Sequence, residues 1–586
     1  MLSDFLDRAK SGQSVYICEV RDAQGDDCPI VKCVIEPATG EPRQYIIPIP
    51  KSSNPQEEMF VREYFYANIY NILSILGGKH MCVYINPEDE HIVELCKSLE
   101  TVFQVSLSKA ERTGYGKCLN VADRVNGALG YPPFNFFVSS EKSDFIKPPE
   151  ISHQPSDACE IFRSAVKKAE NAVVCGIDIG GTDIKVVGTR DGSIAEKKEY
   201  DWRPSDMKTI DELIAPIILM VRVMSAAMSL PDTVLGNELC EELLRKEATD
   251  KEMLASLETA ENEFGEFITF DAIGVNFPDV VIYNKIVGGE TPKTQTIREV
   301  SKDYEGEFSK LLNLGDLLKK YCKSGAPINM ANDGSLAAYT AAVELAFSKY
   351  ADIAENGVFA HTLGTDFGTG WIDEKGEIPQ IPLEMYNCVV DLGSYPARQF
   401  EATDLRSVLN FGTSIAGTPQ KYGGQFGAYR LAIKEFEKGQ GLLYKQLIDK
   451  GFIEERDSGI YVVLSPQDMR KPLLEYIMEL ADNNVPQAEQ VFREIGKFLA
   501  AIWCETEFIL SPKAKDRVLF GRFIKSRNCF KLMAEGANQV RQLTLEAGDD
   551  ELAFSPLMVE LKENPHFTVA QFGQAVGAVY FAAADL

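Results

Sequence analysis

The chain has 586 residues, of which 45% are hydrophobic and 25% charged; this is an ordinary globular composition, too long for one core, and predicts two to four domains. Its 87 acidic and 60 basic side chains give a formal charge of -27. So negative a surface repels nucleic-acid backbones and anionic headgroups, so neither nucleic acid nor membrane is an expected partner. The 13 cysteines are scattered without a C-x-x-C pair and there are only five histidines, which argues against a disulfide framework or a Cys/His zinc cluster and for free thiols in a reducing cytoplasm.

Residues Met1 to Val15 carry Asp4, Asp7, Arg8 and Lys10 and no apolar core, so they do not read as a secretory signal, and a cytoplasmic location is expected. Residues 1–155 form a small accessory α/β module of unknown role. Strands are predicted over Ser14 to Val20, Ile30 to Ile35 and Met81 to Ile85, and helices over Glu57 to Leu76 and His91 to Val102. The proline-containing, polar stretch Lys147 to Asp157 reads as a linker, with a helix following to Glu170.

An apolar strand, Val173 to Ile179, then carries Asp178 near its end and runs into Gly180, Gly181 and Thr182 before a second strand, Ile184 to Gly188. Asp191-Gly192 supplies a tight turn to a third strand, so the unit reads as a β-meander. The Gly-Gly-Thr bend is either a plain hairpin or a loop whose amides cradle a phosphate; in the second reading Asp178 holds a hydrated Mg2+ beside it. The apolar run Leu213 to Leu230, interrupted by Pro216 and Arg222, reads as a buried helix rather than a membrane span. Ile328 to Asn332 is a strand entering a small-residue helix, Ser335 to Leu345. Asp333 at that junction is a helix cap, a general base facing a cleft, or both. A second strand, glycine-threonine loop and strand unit spans Val358 to Ile372, with Gly364, Thr365, Asp366, Gly368 and Gly370 in its loop.

In this order, Asp178 to Lys185, Asn332-Asp333 and Leu363 to Ile372 resemble the ROK group of sugar kinases, relatives of hexokinase in the actin-like ATPase superfamily. Pro512 to Arg522 is similar to the approach to that group's adenosine motif, and Gln574 to Val579 to its closing helix. The resemblance covers about residues 170–586. It implies a two-lobed actin/hexokinase-like (ribonuclease H-like) α/β fold, with a first lobe over 156–345 carrying a helical insertion. The second lobe covers 346–586, its last helix packing back on the first.

It further implies ATP-dependent phosphorylation of a hexose or hexose-derivative hydroxyl, with Asp333 as base and ATP and Mg2+ as cofactors. Asn332, Asn276 and Glu384 would be sugar contacts. Gly180, Gly181, Thr182, Lys185, Gly364, Thr365, Gly368 and Gly370 would lie at the phosphates, and Gly521 at adenine. Lys185 also reads as a solvated strand lysine and Glu384 as a solvated loop glutamate. A homodimer is admitted by analogy. Departures from the family pattern are Asp366 in place of a glycine, Phe520 before Gly521, no metal-binding cysteine cluster, and no histidine after Glu384. They keep open a second reading, a catalytically degenerate sugar-binding regulator or scaffold. A DNA-binding repressor is disfavoured, because residues 1–150 show no helix-turn-helix pattern and no basic helix.

Overall fold

The structure, a computed structural model, describes every residue except Asp26, Pro87, 141–157, 289–293, 365–366, 395–407, Ser458, Leu543 and 548–551. The linker expected over Lys147 to Asp157 lies outside the described residues. The chain forms two compact units. One comprises Met1–Ser152, Thr362–Thr369 and Ile381–Ala547, and the other His153–His361, Gly370–Gln380 and Gly548–Leu586.

In the first unit, β1 (Ile30–Glu36), β2 (Arg43–Pro48), β3 (His80–Tyr84) and β4 (Asn135–Ser139) make a sheet of order β2-β1-β3-β4. Val31, Cys33 and Ile35 alternate inward along β1, the period-2 pattern of a sheet with one packed face. The helix Pro55–Leu76 follows, started by Asn54, whose side chain accepts from the amides of Gln56 and Glu57. Residues 1–152, drawn from the sequence as a module of their own, share this unit with 381–547. The Tyr45 hydroxyl donates to Ile509 O at 2.7 Å, and Asn71 Nδ2 to Val389 O at 2.9 Å.

The strand expected over Ser14 to Val20 is corrected. Val15 to Ile17 are extended, with Ile17 N donating to Val390 O and Leu392 N to Val15 O, but the chain turns helical over Ile17–Asp22. The Glu19 carboxylate reaches back to the Tyr16 amide and caps that turn, overriding the β-branched pattern. The helix expected over His91 to Val102 is two, Glu90–Lys97 and Leu99–Val102.

The second unit is built on β5 (Val174–Ile179), β6 (Asp183–Arg190), β7 (Ser193–Asp201), β8 (Ala272–Phe277) and β11 (Ile328–Asn332), with β9 (Val281–Ile282) and β10 (Lys285–Ile286) as a separate short hairpin. The order is β7-β6-β5-β8-β11; β6 is antiparallel to both neighbours, and β5, β8 and β11 are parallel. Three meandering strands extended by two crossover strands, only the second reversed, is a ribonuclease H-like arrangement. Asp191 and Gly192 both have positive φ (52° and 76°), as a two-residue turn matching strand twist demands.

One face of this sheet packs against the helix Ile210–Ala227, sharing a core with Ile177, Ile273 and Val275. The helices Val234–Leu244 and Asp250–Phe264 follow it along the chain. The opposite face meets the C-terminal helix Val569–Ala583 at backbone contact: a Cβ on Gly176 would lie 2.0 Å from Ala575 O, and one on Gly274 1.9 Å from Ala578 O. Among the described residues no helix is long and apolar enough to cross a membrane.

Candidate functional site

The carboxyl ends of the parallel strands β5, β8 and β11 place the polar residues of the second unit together, the usual position for a ligand crevice in an open α/β sheet. Asp178 stands in register with Asn276 on β8, and across β6 with Lys185. Asn276 Nδ2 donates to Asp178 Oδ1 at 2.6 Å, while the buried Asn276 Oδ1 has no partner among the described residues. Lys185 Nζ donates to Asp183 Oδ1 at 2.6 Å.

The Asp178 carboxyl is pushed up to about 6, chiefly by burial and further by the charges of Asp183 and Asp333, against the opposing pull of Lys185 and the Asn276 hydrogen bond. A half-buried carboxylate among like charges, beside an unpartnered amide oxygen, is a hard-oxygen donor set that suits Mg2+. That ion needs only one or two protein ligands when phosphate and water complete its shell. Among the described residues no three Asp, Glu, His or Cys side chains gather as a closed metal cage.

The loop after β5 is tight. Gly180 N donates to Asp183 O at 2.8 Å, and a Cβ on Gly180 would come within 2.9 Å of Asp183 Oδ1. Among the described residues the amides of Gly181, Thr182 and Asp183 meet no acceptor. Three successive unengaged N–H groups at a bend form a concavity suited to an anion. Asp183, which links this loop to Lys185, was not singled out in the sequence; its position directly after Gly-Gly-Thr was the available signal.

Asn332 caps the helix Asp333–Ala346: its Oδ1 accepts from Gly334 N at 2.9 Å and its Nδ2 donates to Asp279 O at 3.0 Å. Both ends of this side chain are thus engaged within the fold. Asp333 is exposed; its Oδ1 accepts from Gly334 N at 2.8 Å, and its Oδ2 has no partner among the described residues. Cap and outward-facing carboxylate coexist at this junction. Gly370 lies against it, since a Cβ there would be 1.7 Å from Gly334 O.

The remaining predicted residues belong to the first unit. Gly521 has φ +106°, and a Cβ would fall 2.4 Å from Leu363 O, so only glycine brings this bend against the start of the second glycine loop. Gly364 O accepts from Gln425 N at 2.9 Å, and Gly368 lies against the Thr362 hydroxyl. Thr365 and Asp366 lie outside the described residues. Glu384 is buried, its two oxygens accepting from Tyr386 Oη at 3.0 Å and Asn387 Nδ2 at 2.8 Å. It therefore joins an interior polar group rather than a solvated loop.

The sheet topology is that of an α/β protein of the ribonuclease H-like fold class. The sequence matches no family model and no curated protein. Among solved structures the chain is similar to a ROK family glucokinase from Streptomyces griseus in complex with glucose and AMPPNP, with 14% identity over 70% of this chain and 98% of that one and a TM-score of 0.38. It is also similar to a ROK hexokinase from Thermus thermophilus (15% identity, 66% and 96% covered, TM-score 0.33). A third similar structure is a ROK family transcriptional regulator, a homolog of the E. coli MLC protein (11% identity, 71% and 81% covered, TM-score 0.37).

Proposed function

We propose that the protein transfers the γ-phosphoryl group of ATP to a hydroxyl of a hexose or hexose derivative. The observation that carries this reading is the carboxylate of Asp333, exposed and open at Oδ2, on the same sheet edge as the unengaged amides of Gly181 to Asp183 and the half-buried Asp178. In this reading Asp333 accepts the hydroxyl proton as the sugar oxygen bonds to phosphorus and the bond to the β-phosphate oxygen breaks, leaving ADP. The three amides hold phosphate oxygens by fixed N–H dipoles, which cost no reorganisation during the reaction.

Asp178 with Asn276 would hold Mg2+, which when bound neutralises charge on the phosphates. Lys185 adds a cation behind the same loop.

The test is ADP release from Mg2+-ATP against a panel of hexoses and N-acetylhexosamines, run beside Asp333→Asn. Sugar-dependent turnover that drops by roughly 10^2- to 10^4-fold in the variant, with nucleotide binding kept, is the expected result. Sugar binding without turnover in the wild type would replace this reading with the regulator or scaffold.

A further inference from the structure

Trp202 follows directly on β7 and is 7% exposed, within the apolar core that contains Ile179, Ile184 and Ile210. Its indole Nε1 donates to Gly180 O at 3.0 Å, and its backbone amide donates to Thr182 O at 3.0 Å. The two carbonyls that bracket Gly181 and Thr182 are therefore both drawn toward one residue. In a planar trans peptide the C=O and the following N–H point in opposite directions, so the N–H groups of Gly181 and Asp183 are turned away from Trp202.

The indole also changes how the hairpin closes. Facing residues of a closed antiparallel pair exchange both N–H to O bonds. Here Gly180 N still donates to Asp183 O at 2.8 Å, but Gly180 O is occupied by the indole. The reciprocal donor, Asp183 N–H, is left without an acceptor among the described residues.

We infer that Trp202 is a positioning residue for the first phosphate loop, holding the Gly180 and Thr182 carbonyls on one side so that the Gly181 and Asp183 amides stay aimed at nucleotide phosphate. This rests on the phosphotransfer reading above. Phenylalanine at this position keeps the backbone donor and an aromatic ring but removes the indole N–H together with part of the ring, so Trp202→Phe breaks the contact to Gly180 and also loosens the core around it. Loss of one hydrogen bond of ordinary strength corresponds to roughly 3- to 10-fold in affinity.

The experiment is calorimetric titration of the full chain and of Trp202→Phe with Mg2+-ATP, together with KM for ATP, KM for sugar, kcat and thermal midpoint for both. The inference expects weaker ATP binding and a KM for ATP raised by about 3- to 10-fold, with the sugar KM and kcat unchanged, while the midpoint falls modestly for the smaller ring. Equal ATP affinity in the two proteins overturns the role of Trp202 whether or not a sugar substrate has been found. A rise of both KM values by the same factor overturns it as well, marking general damage to the fold. Failure of the wild type to bind Mg2+-ATP overturns the inference together with the phosphotransfer reading, a result distinct from the other two.

Discussion

The Arg21 guanidinium donates to Glu505 Oε1 at 2.7 Å, across 484 residues of sequence, and lies 3.7 Å from the centre of the Phe508 ring. Glu505 is fully buried and its other oxygen accepts from Asn71 Nδ2 at 2.9 Å, so one carboxylate ties two segments of the first 152 residues to the helix Pro486–Leu510. Burial alone would lower the Arg21 pKa, but the charge of Glu505 holds it above its usual value. Glu505→Ala leaves a cation in the interior and is expected to destabilise the unit by about 3–5 kcal/mol in chemical denaturation. The double variant Arg21→Met, Glu505→Leu, which removes both charges, is expected to recover most of that loss. Equal losses in the single and double variants would show that the ion pair does not couple the two segments.

Asp178 predicts a pH dependence of stability. Its carboxyl titrates near 6 in the fold against 3.8 in the unfolded chain, so between those values the folded state binds the proton more tightly. The group favours folding below about pH 4, and that contribution is lost as pH rises through about 6. Asp178→Asn removes the penalty and is expected to raise stability at about pH 7.5 by on the order of 2–3 kcal/mol, with the gain vanishing near pH 4. Thermal melts across that range measure it. Under the proposed reaction the same variant loses turnover, so greater stability would accompany lower activity.

Gly274 tests the close seating of the C-terminal helix. A methyl group there would meet Ala578 O at 1.9 Å, backbone against backbone, so the helix must move. Gly274→Ala is expected to destabilise the second unit by about 3 kcal/mol or more, at the upper end of overpacking effects. An unchanged melting midpoint would mean that the helix does not rest on the sheet at this point.

Much of the second unit was legible because its signals are local. The apolar run ending at Asp178 became β5 (Val174–Ile179), fully buried strands being nearly continuous in hydrophobicity. Asp191-Gly192 fixed the next turn through the conformations it tolerates, and the run Leu213 to Leu230 became the buried helix Ile210–Ala227. Legibility failed where a distant partner decides. Ser14 to Val20 has strand composition, yet only Val15 to Ile17 find an extended partner, at Val390 to Leu392. Of the two readings of Glu384, sugar contact or solvated loop residue, the structure removes the second: the residue is buried, and the amides of Leu383 and Glu384 donate to Ile75 O and Ser74 O far away in the sequence.

By itself the sequence determined the meander β5 to β7, the buried helix Ile210–Ala227 and the strand β11 with the helix after it, with an aspartate near the end of β5 and another after β11. Periodicity, turn chemistry and glycine placement act within a few residues and need no partner. Only the tertiary structure decided that residues 1–152 share a unit with 381–547, that Asp178 lies among charges that raise its pKa, and that Trp202 reaches back to the carbonyl of Gly180. Those outcomes depend on which side chains meet across 20 to nearly 500 residues, and burial and hydrogen-bond energies are fixed by that meeting rather than by any pattern along the chain.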